Sequence, residues 1–309
     1  MNKRLTVFIP TYNRVRFLEK CIRSVLAQTY QDFDLVVLDN ASDQDVAGLV
    51  NSINDPRISL KKNQVNIGGT GNIQKAFDSA STEFVTVFHD DDYMHPRLLE
   101  MQLRIFDEVP ELVFVATSCN LVDDFSKLGI FSEDLGCNYD IFKSSSLLIR
   151  ALITKPFGFG GVMYRSSAMQ GVRLDVGRFS IACDRPFLVS LAERGACAYI
   201  KEPMYNARQH PTQDSANLGS DERLWLTTFR FYREKLNGTR DLATEKMLNY
   251  VITQQLLMNY MKGGVNRQRY GSALLDQSLT QGLIRPLDFA QCSVLVVISF
   301  ISRRLKRFL

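Results

Sequence analysis

The sequence predicts an α/β fold, a mostly parallel sheet with helices on both faces, followed by a C-terminal helical extension. Two observations predict the sheet. Over the first hundred residues, short unbroken apolar runs alternate with segments whose apolar positions recur at helical spacing. Strands that are apolar throughout and separated by helices belong to a parallel sheet covered on both faces. A third observation, the change to continuous helical patterning from about Asp221, predicts the extension.

The elements follow in order. Leu5-Thr6-Val7-Phe8-Ile9 is a buried strand ended by Pro10, and Phe17, Leu18, Cys21, Ile22, Val25 and Leu26 form one face of a helix. Leu35-Val36-Val37-Leu38 is the second strand, residues 46–53 a short helix and Ile58-Ser59-Leu60 a third strand. Residues 73–80 read as helix, and Phe84-Val85-Thr86-Val87-Phe88 as the fourth strand, with Pro96 opening the next helix. Residues 112–116 are a further buried strand, and 121–140 carry mixed loop signals with Gly129 and Gly136. Phe157-Gly158-Phe159-Gly160-Gly161 is a glycine-rich turn leading into the strand-like Val162-Met163-Tyr164, and helical patterning resumes after Pro211.

Bulk composition excludes several classes. With 309 residues, 45% hydrophobic and 23% charged, the chain is an ordinary globular protein rather than a disordered or fibrous one. A net charge of +4 with no basic stripe interleaved with aromatics gives no footprint for nucleic acid. Six cysteines without a Cys-x-x-Cys pair fit a reducing compartment, and Met1-Asn2-Lys3-Arg4 runs straight into a strand with no signal-peptide pattern. No apolar run reaches the roughly 20 residues that span a bilayer, so the expected location is the cytoplasm. Residues 292–301 are almost wholly apolar and are followed by Arg303, Arg304, Lys306 and Arg307. Such a segment either lies on the anionic inner face of the cell membrane or packs on the domain with its basic end solvated.

The chemistry gathers where strands end. The fourth strand runs through His89 into Asp90, Asp91 and Asp92, three adjacent like charges that cost stability unless something positive sits among them. Carboxylate oxygens suit a hard cation such as Mg2+ or Mn2+, and the carboxyl end of a parallel strand is where open α/β sheets bind ligands. His89 reads as a strand-end residue and His95 as the residue before Pro96. Asp39 ends the second strand, and Thr11, Tyr12, Asn13 and Arg14 follow the first. Alone, Asp39 is a turn or cap residue; with the other strand ends it describes a site.

Ile9-Pro10-Thr11-Tyr12-Asn13-Arg14, Leu38-Asp39-Asn40-Ala41-Ser42, Asn66-Ile67-Gly68 and His89-Asp90-Asp91-Asp92 resemble, in order, the motifs of the family 2 glycosyltransferases. The resemblance implies the GT-A fold, with residues 1–220 as the nucleotide-sugar-binding and catalytic domain and 221–309 as a helical extension with an apolar and basic tail. It places Thr11 and Tyr12 at the nucleobase, Asp39 as acceptor of a base N–H, and Asn66 and Gly68 beside the nucleotide. Asp90 and Asp92 form the Asp-x-Asp signature, Asp90 toward the ribose and Asp92 on Mn2+ or Mg2+, with Asp91 in support. Arg14 is expected near the diphosphate or exposed at the helix start. A cation on Asp92 offsets the negative charge gathered by a diphosphate leaving group.

Cys183-Asp184-Arg185-Pro186 resembles the family's acidic motif, in which Asp184 takes the acceptor hydroxyl's proton; Cys183 stands where the family usually has Glu. The bland reading is a helix cap. His210 resembles a late metal-binding His of some relatives, or is a surface loop residue. Residues 157–165 match the segment that shapes the acceptor pocket, and their glycines either admit close backbone approach or simply turn the chain. The Gln-x-x-Arg-Trp signature of processive synthases is missing around Trp225, which implies one sugar per encounter.

The expected activity is inverting, metal-dependent hexosyl transfer from a nucleoside diphosphate sugar, UDP-sugar favoured, to a glycan or lipid-linked glycan in bacterial surface polysaccharide synthesis. The alternatives are a catalytically inactive nucleotide- or glycan-binding subunit of the same fold, hinted at by Cys183, and a dinucleotide oxidoreductase using Gly68-Gly69-Thr70-Gly71. That loop does not follow the first strand and lacks the spaced third glycine, which disfavours the oxidoreductase.

Overall fold

A computed structural model describes residues 3–123, 129, 131, 136–154, 157–210, 213, 222–239, 241–261, 278–279 and 283–305. Pro211, Asp221, Lys306 and Arg307, on which some sequence expectations rest, lie outside them.

The chain folds as two compact units, one of residues 1–148 and 155–221, the other of residues 149–154 and 222–309. The first begins with β1 (Leu5–Thr11), α1 (Val15–Leu26), β2 (Phe33–Asp39), α2 (Val46–Ile53), β3 (Ile58–Lys62), α3 (Gly69–Asp78) and β4 (Phe84–Val87). It continues through β5 (Tyr93–Met94), α4 (Leu98–Glu108), β6 (Leu112–Val122), β7 (Tyr139–Phe142) and the start of α5 (Ser145–Thr154). A short 3-10 turn at Phe159–Gly161 then leads to β8 (Met163–Arg165), α6 (Ser166–Met169), α7 (Val176–Phe179), α8 (Asp184–Leu191) and β9 (Ala196–Arg208).

Among the described residues nine strands form one sheet in the order β3-β2-β1-β4-β8-β6-β9-β5, with β7 also paired to β9. β1, β2, β3 and β4 are mutually parallel, and β1 aligns residue for residue with β2 from Leu5↔Phe33 to Thr11↔Asp39. That register brings Thr11 and Asp39 to the same edge. β8 is antiparallel to both β4 and β6, and β6 and β9 are parallel to each other. The expected α/β fold with a mostly parallel sheet is therefore the observed one.

The strand pattern explains the core. Leu5, Val7, Ile9, Leu35, Val37, Phe84 and Phe88 are buried, and α1 lays Leu18, Cys21, Ile22 and Val25 against them. Each fully buried Leu, Ile, Val or Phe side chain of this layer contributes about 1.5–3 kcal/mol. All six cysteines are free thiols.

Four boundaries differ from the sequence reading. α3 starts at Gly69 rather than at residue 73, because the Asn72 N–H reaches the Gly68 carbonyl at 3.0 Å and closes the first turn despite two glycines. α4 starts at Leu98, leaving the Pro96 carbonyl to accept from the Thr29 N–H at 2.7 Å. β6 runs on to Val122, across the start of the stretch expected to be loop. β9, thirteen residues long, has no counterpart in the sequence reading. Lys201-Glu202-Pro203 interrupts its apolar pattern, and the sheet absorbs the proline where Ser118 pairs with it after a register shift.

The second unit contains α9 (Glu222–Leu236), α10 (Leu242–Met261) and α11 (Pro286–Leu305). Leu226, Phe231, Tyr232, Leu236, Leu248, Ile252 and Leu256 are buried there. Among the described residues no helix is long and apolar enough to cross a membrane.

Candidate active site

Three parallel strands deliver their last residues to one edge of the sheet. Asp39, 1% exposed, turns the chain after β2: its Oδ1 accepts from the Ser42 N–H at 2.9 Å, and Lys62 Nζ lies 3.5 Å from Oδ2. Asn13 and Ala41 take positive φ, 54° and 63°, so both connections leave the sheet sharply. Asn13 Oδ1 accepts from the Asp43 N–H at 2.9 Å, tying the loop after β1 to the loop after β2. Tyr12, next after β1, is 42% exposed, and Ile67 is exposed as well.

The loop before α3 hangs on a set of amides. Asn66 Oδ1 accepts from Asn40 Nδ2 and from the Gly68 N–H, both at 2.8 Å. Asn40 Oδ1 accepts from the Ile67 N–H and Asn63 Nδ2, and Asn72 Nδ2 donates to the Leu38 carbonyl. Gly68 has φ +79°, which an L side chain would strain. Asn40, Asn63 and Asn72 escaped the sequence reading as a unit, because only the fold brings these amides together.

Beyond β4 the three carboxylates are all buried, Asp90 3%, Asp91 7% and Asp92 4% exposed. Their countercharges come from elsewhere in the chain. Arg14 Nη1 lies 3.2 Å from Asp90 Oδ1 and 3.3 Å from Asp91 Oδ2. The guanidinium thus faces the carboxylates, half-sheltered, instead of being spent on solvent at the helix start. Thr11 Oγ1 donates to Asp90 Oδ2 at 2.7 Å, and the Arg208 N–H donates to Asp92 Oδ1 at 3.0 Å. Burial and the neighbouring Asp91 charge push the Asp90 carboxyl up to about 6, against the pull of Arg14 and Thr11. Burial raises the Asp92 carboxyl well above the ordinary range.

Two histidines reach this cluster, the candidate His210 and His89. His210 Nε2 is 2.9 Å from Asp91 Oδ2, its ring 5.1 Å from that of Phe17. His89 Nδ1 is 3.7 Å from Asp92 Oδ2, and one ligand atom each from His89, Asp91 and Asp92 lie within 4.8 Å of one another. His89 is therefore more than a strand-end residue: it belongs to the group of donors that converge. Two carboxylate oxygens and an imidazole nitrogen fit a divalent cation such as Mn2+ or Mg2+.

An aromatic cluster adjoins His89, whose ring centroid lies 6.5 Å from that of Phe159. Phe77 stacks on Phe187 with centroids 5.2 Å apart and meets Tyr164 edge-on at 5.2 Å, while Phe159 meets Phe187 edge-on at 6.3 Å. This cluster joins α3, β8, the 3-10 turn and α8, and Asp184 is the first residue of α8. Burial raises the Asp184 carboxyl, with Arg185 pulling the other way and His89 close enough to contribute. The residue at the helix cap is Cys183, whose buried thiol is pushed up to about 11 by desolvation, so it supplies no charge to its neighbour. Glycine is required in the turn. A Cβ on Gly158 would overlap the Tyr205 hydroxyl, and one on Gly161 would sit 2.6 Å from Thr117 Cγ2. Gly160 faces Asp92 Oδ2 and His89 Nδ1, which would lie 3.3 and 3.5 Å from an added Cβ.

Residues 6–172, more than half of the chain, match the family model Glycosyl transferase family 2. The chain belongs to this family. Among its relatives, a GalNAc(5)-diNAcBac-PP-undecaprenol beta-1,3-glucosyltransferase of Campylobacter jejuni is 34% identical over 134 residues, 41% of this chain and 43% of that protein. The UDP-Glc:alpha-D-GlcNAc-diphosphoundecaprenol beta-1,3-glucosyltransferase WfaP of Escherichia coli is 27% identical over 135 residues, 44% of this chain and 53% of that protein. The matches thus span about half or less of these relatives. Both of these relatives are bacterial glucosyltransferases named for undecaprenol-linked glycans.

Solved structures share its fold. Staphylococcus aureus TarS 1-349 in complex with UDP-GlcNAc superposes with a TM-score of 0.63 at 18% identity, over 86% of this chain and 77% of that 1-349 chain. The mannosyltransferase PcManGT from Pyrobaculum calidifontis, in complex with GDP-Man and Mn2+, gives 0.53 at 16% identity, over 96% and 85%.

Proposed function

We propose that this family 2 glycosyltransferase is an inverting, non-processive hexosyltransferase that moves one sugar from a UDP-sugar to a lipid-linked glycan, as in bacterial surface polysaccharide synthesis. The observation that carries the reading is the meeting of Thr11, Asp39 and the Asp90–Asp92 cluster at one sheet edge, with Asp184 at the head of α8.

Thr11, Tyr12 and Asp39 receive the nucleobase, Tyr12 offering its exposed ring as a stacking face and Asp39 an acceptor oxygen. Asn66 and Gly68 line the nucleotide beside them, and Asp90 takes the ribose. Asp92, with Asp91 and His89 or His210, would hold Mn2+ or Mg2+, which supplies Lewis-acid offset of the diphosphate charge as the sugar bond breaks. Arg14 tempers the carboxylates and lies on the diphosphate side.

Asp184 removes the proton from the acceptor hydroxyl as that oxygen attacks the sugar's anomeric carbon from the face opposite the leaving diphosphate. A raised carboxyl pKa suits a general base near neutral pH. The acceptor enters along residues 157–165. Residues 1–220 serve as the catalytic domain and 221–309 as an extension whose end, 292–309, lies against the cytoplasmic face of the membrane where a lipid-linked acceptor resides. The relatives that act on undecaprenol-linked glycans support that acceptor class.

The test is calorimetric titration of UDP into the protein with Mn2+ and with EDTA. Binding is expected to need the metal and to vanish in Asp92→Ala; equal binding in EDTA overturns the metal-dependent donor site. A second reading, an inactive nucleotide- or glycan-binding subunit, is favoured by Cys183 in place of the usual Glu, and any sugar transfer or slow donor hydrolysis excludes it.

A further inference from the structure

We infer that the protein carries a second binding site, for a neutral saccharide, in a cavity at the edge of the sheet opposite the carboxylates. Its ligand is bound independently of donor and metal.

The cavity, of about 600 Å3, lies between the end of α3, the residues leading into β4, and β8 with the α6 that follows it. That volume falls within the range of small-molecule sites. The Ser166 N–H donates to the Glu83 carbonyl at 3.0 Å, and Gln74 Oε1 accepts from the Leu174 N–H at 2.9 Å. The sides of the cavity are thus tied together before any ligand arrives. Gly171, with φ +74°, has no atom within 4 Å of the place a Cβ would take, so this part of the lining is open. Because Phe84 pairs with Arg165, the cavity sits where β4 begins, whereas Asp90 follows the end where β4 stops. At about 3.3 Å per residue the two ends are roughly 20 Å apart.

The charged side chains of the lining are paired with one another. Arg173 Nη1 lies 3.3 Å from Asp78 Oδ2, and Arg165 Nη1 lies 3.4 Å from Glu83 Oε1. Two cations against two carboxylates leave no net charge, so a phosphate or other ion would find its countercharge already engaged. The other polar groups are hydroxyls and amides, Ser81, Ser166, Ser167 and Gln170 among them. Among the described residues Ser166 Oγ is buried with no hydrogen-bond partner, a state that costs stability until a ligand hydroxyl satisfies it. Phe77 and Met169 supply apolar surface beside these groups. Hydroxyls and amides next to apolar surface match a sugar ring, which presents hydroxyls around its rim and C–H groups on its faces.

The experiment adds glucose, galactose, N-acetylglucosamine or N,N′-diacetylchitobiose to the full chain in EDTA without nucleotide. Saturation-transfer difference NMR reads binding and its dissociation constant. At least one of these saccharides is expected to bind in the millimolar range. Ser167→Trp, which fills the cavity from an exposed position, is expected to abolish the signal. Ser166→Ala is expected to weaken binding about two- to tenfold. Its hydroxyl has no partner to lose, so thermal unfolding of that variant is expected to match wild type. UDP with Mn2+, inorganic phosphate and Asp184→Asn are each expected to leave the signal unchanged. No signal from any of the four saccharides, or wild-type affinity in both serine variants, overturns the proposal. Competition by phosphate overturns the neutral class, and displacement by UDP assigns the saccharide to the donor site instead. The donor-site reading is judged by UDP binding itself, so it stands or falls separately.

Discussion

The Arg208 backbone N–H donates to Asp92 Oδ1 at 3.0 Å across 116 positions of sequence, so the end of β9 holds the carboxylate that follows β4. One oxygen of Asp92 is thereby structural, and the other is turned to His89 and the Gly160 backbone. The strand absent from the sequence reading fixes the orientation of the residue most prominent in it.

Arg14 bridges Asp90 and Asp91, both nearly buried. Removing one partner of such a group leaves charge uncompensated, though the partial exposure of Arg14 softens the loss. Arg14→Ala is expected to cost about 1–3 kcal/mol in EDTA and to recover more on adding Mn2+ than wild type gains. Chemical denaturation with and without the metal measures both.

The Asp90 carboxyl stands at about 6 in the folded chain against an ordinary 3.8. The folded state therefore binds more protons than the unfolded one between those values, and stability contributed by this group is lost as pH rises from about 4 to about 6. The span corresponds to about 2–3 kcal/mol. In EDTA, Asp90→Asn is expected to gain stability relative to wild type across that window, as read from urea midpoints at successive pH values. A flat difference rules out the raised carboxyl.

Asp184→Asn keeps the volume of the side chain at the head of α8 and removes its basicity. Sugar transfer is expected to fall by about 10²–10⁴-fold while UDP affinity stays at the wild-type value. Transfer at the wild-type rate removes Asp184 from the role of base.

Gly161 has Thr117 Cγ2 and Tyr205 Cε1 each 2.6 Å from the position a Cβ would take. Thr117 lies on β6 and Tyr205 on β9, so neither yields without moving the sheet. Gly161→Ala is expected to destabilise the protein by about 1–3 kcal/mol in thermal or urea unfolding.

The half of the sheet from β1 to β4 was legible because strands buried on both faces leave continuous apolar runs, as in Leu35-Val36-Val37-Leu38. The strand-end positions Thr11, Asp39 and Asp90–Asp92 followed directly from where those runs stop. β9 was not legible, since Lys201-Glu202-Pro203 breaks its pattern and the register shift that accommodates Pro203 is a tertiary event. β5, two residues long, carries no period at all. The roles of Arg14, Arg208 and His89 around the carboxylates were hidden for another reason: their partners lie on other strand ends or in loop geometry that local spacing does not encode. His89 adjoins the Asp cluster in sequence, yet only the turn after β4 brings its Nδ1 back toward Asp92.

The placement of β8 between β4 and β6 divides the sheet by the time at which its parts emerge during synthesis. β1 to β4 pair through neighbouring crossovers and are complete once residue 87 is available. β6 then has to wait for β8 and β9, a separation of the kind that slows folding. The carboxylates after β4 consequently emerge before Arg208, the residue that anchors Asp92, has been made. A nascent chain thus has the edge carrying Thr11 and Asp39 assembled while the corner around Asp92 still lacks the β9 end that holds it.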